Sequence, residues 1–164
     1  MQRKQCSLIA TGLFFLPLSL FNIVLCQTIP PDRFALENSE GAGMAAYADR
    51  NGYPGPKHIL ELQEKLDLND DQVKQIEAMC EEMAEKARIK GQEIIDAEIR
   101  LDDLFGTKAA SEERVLSLST RIGWLRGELR SIHFAAHLQA SVVLTPEQRT
   151  LYTTLRHGQN EHRH

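Results

Sequence analysis

From Asp70 to Phe105 the apolar residues recur in steps of three and four: Val73, Ile76, Cys80, Met83, Ala87, then Lys90, then Ile94, Ala97, Leu101 and Leu104. That period is the signature of a helix with one buried stripe, and Lys90 alone interrupts its apolar character. "GTKAAS" breaks the pattern, and Ser111 with Glu112 and Glu113 starts a second helix. Its stripe runs Val115, Leu118, Ile122, Leu125, Leu129, Ile132, Ala136, Gln139 and Val143, broken at Gln139. Two seams joined by a short loop predict a long antiparallel helical hairpin, with arms about 50 Å long. Shorter apolar repeats flank it: Ile59, Leu62 and Leu66 in "HILELQEKL", and Leu151 and Leu155 in "PEQRTLYTTLR". No proline falls between Lys57 and Pro146, and Val and Thr are too sparse for strands, so the fold class is all-α, ordered short, long, long, short. A hairpin this thin cannot cover both of its seams. The short helices, or a second protomer in a homodimer, must do so.

The corners of that plan carry nearly the same five residues. "LNDDQ" spans Leu68 to Gln72 and "LTPEQ" spans Leu144 to Gln148. Asn69 and Thr145 each offer an oxygen to an unpaired N–H of the first helical turn, and the glutamine three residues on reaches back to the cap. Pro146 suits a first helical position, and Asp70 and Asp71 suit the positive end of a helix dipole. Both stretches are predicted helix starts where a short helix meets a long one.

Ahead of the helices, Thr28 to Pro56 carries Pro, Gly, Ser and Asn without a lasting period, which predicts a flexible linker over 27–56. The helical domain is then 57–157, with a disordered tail over 158–164. Residues 1–26 have two cations, Arg3 and Lys4, before an apolar run, as an export signal has. Cleavage before Gln27 is the leading reading; an uncleaved N-terminal anchor and lipidation of Cys26 stay open. Each places the domain outside the cytoplasm. After cleavage Cys80 is the remaining cysteine, so no internal disulfide can form. The charge becomes 17 basic against 23 acidic residues, or −6, a surface unsuited to nucleic acid. Acids gather on the first arm (Glu61 to Asp103, net −8) and bases on the second (Lys108 to Arg163, net +3). The arms can therefore attract, within one hairpin or across a dimer.

The export signal, the paired five-residue stretches, the "NGYPGPKHILELQEKLDL" ahead of the first and the four-helix plan together resemble the Spy/CpxP family of periplasmic proteins, named for a repeated LTxxQ motif, and the related periplasmic heavy-metal sensors. The motif residues are Leu68, Asn69 and Gln72, with Asn in place of Thr, and Leu144, Thr145 and Gln148. The resemblance implies a cradle-like, dimeric hairpin without catalytic activity. It implies ATP-independent holding of unfolded envelope proteins, or modulation of a membrane stress sensor. In the sensor branch it implies a transition metal bound by His, Glu or Met, with no cofactor otherwise required.

His133 and His137 stand four residues apart on the second long helix, as a chelating pair requires. The antiparallel plan brings that end of the helix near His58, Glu61 and Glu81, which could complete a zinc, nickel or copper site. Against this, both histidines flank the apolar stripe and read equally as helix-edge residues. Cys80 lies on its stripe and reads as a small buried hydrophobe, with a symmetric intermolecular disulfide as the alternative. The tail histidines His157, His162 and His164 suggest at most weak metal affinity. No phosphate loop, nucleophile elbow, HExxH or CxxC is present, so nothing in the sequence points to an enzyme.

Overall fold

The computed structural model describes residues 30–41 and 43–157; the expected signal segment and tail lie outside them. Among the described residues six helices follow in order: α1 (Arg33–Glu37), α2 (Ala46–Arg50), α3 (Pro56–Glu61), α4 (Asp70–Gly106), α5 (Glu112–Val143) and α6 (Pro146–His157). Among the described residues there is no strand. α4 and α5 pack along each other as the long hairpin, and the shorter helices lie at its ends and along its side. Its tip turns at Thr107, Lys108 takes a left-handed backbone, and Ser111 caps α5 by accepting from the Arg114 N–H.

The seams read from the sequence meet in two apolar clusters. Ile94, Ala97, Ile122, Leu125 and Leu129 hold the middle of the hairpin together with Leu36 and Ile95. Ile59, Leu66, Ile76, Ala140, Leu144 and Tyr152 hold the open end. The charge asymmetry acts within the hairpin where Arg126 pairs with Glu98 at 3.0 Å and Arg121 with Glu93 at 3.6 Å, while Lys90 pairs with Glu128 at 3.0 Å in the opposite sense. Lys90 therefore fits its seam position by pairing across the arms.

Two expectations need correction. Within the segment 27–56 read as a flexible linker, residues 30–41 and 43–56 are folded onto the hairpin, and residues 27–29 lie outside the described residues. Leu36 is 2% exposed, Asp32 forms a two-pronged ion pair with Arg126 at 2.6 and 3.1 Å, and the Tyr152 hydroxyl donates to Asp49 at 2.6 Å. Long-range partners supply what local periodicity does not. The helix expected to reach Leu66 ends at Glu61, and successive turns carry the chain to Asp67, whose φ of 50° reverses it toward Asn69. This keeps Leu66 buried while the chain changes direction.

Candidate functional site

Both predicted capping boxes form. Asn69 Oδ1 accepts from the Gln72 N–H at 2.9 Å and Gln72 Oε1 accepts from the Asn69 N–H at 3.1 Å. Thr145 Oγ1 accepts from the Gln148 N–H at 3.2 Å and Gln148 Oε1 from the Thr145 N–H at 3.0 Å. The hairpin then brings the two boxes together. Gln72 Nε2 donates to Gln148 Oε1 at 2.8 Å and to the Val143 carbonyl at 2.9 Å. Gln148 Nε2 reaches Gln72 Oε1 and the Leu66 carbonyl, both at 3.2 Å. Each side-chain amide thus caps its own helix and ties the other corner. A glutamate could cap but could not donate, so glutamine is chemically required in both places.

The histidines meet at one cavity of about 740 Å³ beneath residues 38–41 and 43–46. His58, His133 and His137 line it with Cys80, Met44 and Met83, whereas Glu81 is exposed and outside the lining. His133 is buried, with no hydrogen-bond partner on Nε2, and burial, with His137 beside it, holds its imidazole below the usual histidine range. His137 Nδ1 lies 2.7 Å from the Tyr53 carbonyl, and His58 Nδ1 lies 2.9 Å from Glu61. Burial raises the pKa of the half-buried Cys80 thiol, which disfavours a reactive thiolate. These donors suit a borderline transition metal in kind but not in arrangement: among the described residues no three His, Cys, Asp or Glu side chains are gathered to hold one.

On another side of the hairpin lies an open groove of about 760 Å³. α5 lines it with Gly123, Gly127, Ser131 and Ala135, spaced four apart, and Met79, Met83 and Trp124 add apolar surface. Lys86, Glu82, Lys90 and Glu128 add charge. Along α5, Leu116, Trp124, Leu138 and Val142 are all more than half exposed. α5 is thus apolar toward solvent as well as toward α4.

The model of the LTXXQ motif family matches residues 55–156. The chain belongs to this family. Both motif corners and the helices α4 and α5 fall inside the match, and residues 30–54 precede it. No curated protein and no solved structure gives a significant match. The family is of the Spy/CpxP type, typically periplasmic and generally non-enzymatic. Among the described residues no helix is long and apolar enough to cross a membrane. What sequence reasoning missed in this LTXXQ domain is the contact between its motifs and the groove on α5. The first had a signal, two glutamines where glutamate would also cap. The second had a weaker one, the spacing of four from Gly123 to Ala135.

Proposed function

We propose that the chain is a non-catalytic periplasmic protein that holds unfolded envelope proteins without ATP, the same surface being available to a membrane stress sensor. The observation that carries this reading is the open α5 groove. Contiguous exposed apolar surface on a soluble domain marks an interaction site, and this groove needs no motion to receive a segment. A homodimer is part of the proposal, with Leu138 and Val142 giving a second copy its surface, and sedimentation at micromolar concentration checks it. Suppression of aggregation of a chemically unfolded client tests the function. Trp124→Lys with Gly127→Glu should abolish suppression while circular dichroism stays unchanged; suppression that survives both substitutions rejects the groove.

A second reading, transition-metal binding through His58, His133 and His137, is favoured by one observation, the buried and unpartnered Nε2 of His133 in a cavity shared with the other two. Calorimetry with zinc, nickel and copper on a chain ending at Arg156 tests it. A one-site isotherm lost in His133→Ala and His137→Ala supports the reading; affinity no tighter than about millimolar, near −4 kcal/mol, rejects it.

A further inference from the structure

The segment of residues 30–52 that crosses the hairpin is held in the manner of a bound peptide. Its first helix, α1, has five residues, too few to persist alone, so the surface beneath must impose the turn. That surface has two recognition elements. Arg126, held by Glu98, grips both oxygens of Asp32. Four residues on, Leu36 sits in the pocket formed with Ala87, Ile94, Ile95 and Leu125. Between these elements the α1 backbone lies directly on α4: a Cβ placed on Gly91 would be 2.4 Å from the Leu36 carbonyl oxygen. Gly91 is a notch cut for a backbone.

Past the notch the contacts become mainly polar and small. Ser39 donates to the Ala84 carbonyl at 2.7 Å, Gly41 covers the His133 ring and Ala45 is buried, while the open cavity of about 740 Å³ lies beside these contacts. The segment also lies wholly ahead of the family match, which begins at residue 55.

We propose that the Gly91 notch is a peptide-docking site, occupied here by the chain's own residues 32–36, and that it fits a partner segment presenting a carboxylate four residues ahead of a leucine on one helical turn. Arg126 reads the carboxylate, the pocket beneath Leu36 reads the leucine, and Gly91 admits the backbone. The resident segment competes from within the same molecule, so an outside segment sees only the fraction of molecules whose notch is open, and its apparent affinity falls by that fraction. The inference rests on reading the chain as a binding protein, but client holding by the α5 groove can fail while the notch still binds, so the two are tested apart.

The test uses the full chain and a labelled peptide of residues 30–46. Leu36→Asp in the protein should free the notch, and the peptide should bind that variant at least about tenfold tighter than wild type by fluorescence anisotropy. Arg126→Ala or Gly91→Val added to the variant, or Leu36→Asp in the peptide, should abolish binding. Equal, weak binding to both proteins with helicity retained overturns the proposal. Should Leu36→Asp prevent folding, hydrogen exchange on wild type decides: amides of residues 33–38 exchanging much faster than those of Ile94 and Ile95 support a notch that opens by itself. Equal protection means that the segment leaves only on global unfolding, and the proposal fails.

Discussion

At the motif corner, Gln72 and Gln148 close the hairpin with reciprocal hydrogen bonds, each amide serving its own helix and its neighbour. Along the side of the hairpin, residues 30–41 and 43–52 are held by the buried Pro30, Leu36 and Ala45, by the Gly91 notch, by hydrogen bonds of Ser39 and Asp49, and by ion pairs to Arg126 and Arg156. At the corner Gln72 is buried and Gln148 half-buried, so losing one amide leaves groups on both helices short of a hydrogen bond. The segment's charges face partners that are partly exposed, so losing one returns both to water. The first arrangement fixes a fold; the second is one that can be exchanged.

The largest expected effect breaks the corner. Gln72→Glu keeps the capping acceptor but loses the donor to Val143 and sets a carboxylate against Gln148 Oε1. Gln72 is 8% exposed, so the stability loss should be about 2–3 kcal/mol, nearly that of Gln72→Ala, and the whole domain should melt earlier. Gln72→Ala with Gln148→Ala should cost clearly less than the sum of the single changes, because both remove one shared contact. Additive costs in denaturant unfolding would show that the two boxes act separately.

The next effect falls on the segment. Gly91→Ala should displace α1 and forfeit the burial of Leu36, about 1.5–3 kcal/mol locally. It also places a better helix former inside α4, worth about 1 kcal/mol. Global melting should then move little while protease nicking between residues 33 and 50 rises sharply. A large fall in melting temperature without new cleavage would mean that corner and segment belong to one cooperative unit. A smaller effect tests the caps themselves. Thr145→Ala, at an exposed residue, should lose about 1 kcal/mol, less than either glutamine change.

The same contrast explains what could be read in advance. Capping boxes and seams are local or periodic, so the hairpin and both helix starts were legible from "LNDDQ", "LTPEQ" and the three-and-four spacing. Leu36 is a single apolar residue in a stretch without period, and Gly91 reads as an interruption beside Lys90 until the backbone above it is known. Burial of His133 was missed for the same reason: it sits at the seam's edge and is covered by Gly41, whose own Cβ would stand 3.3 Å from the ring. The i, i+4 spacing of His133 and His137 was legible, but the distances among their neighbours depend on the three-dimensional course of the segment. Sequence spacing placed the imidazoles at one cavity and could not say whether they converge.

The smallest expected effect separates corner from segment by pH. Asp32 is held below the usual aspartate range by its hydrogen bonds to Arg126. At Asp49 burial works to raise the pKa, and the Tyr152 hydroxyl and Arg156 outweigh it, so its net shift is also downward. A carboxyl whose folded pKa lies below its unfolded value stabilises the fold above that unfolded value, about 3.9 for aspartate. The stabilisation is lost as pH falls through the folded value. Acid should therefore loosen residues 30–52 below about pH 4, while the hydrogen bonds between the Gln72 and Gln148 side-chain amides, which do not titrate, persist. NMR of the backbone amides should show signals of residues 33–50 shifting in that window ahead of those of residues 69–72 and 145–148. Asp32→Asn with Asp49→Asn should remove the step and leave the segment equally loose above it. If the corner signals move at the same pH, or if the step survives both substitutions, the ion pairs are not what fastens the segment.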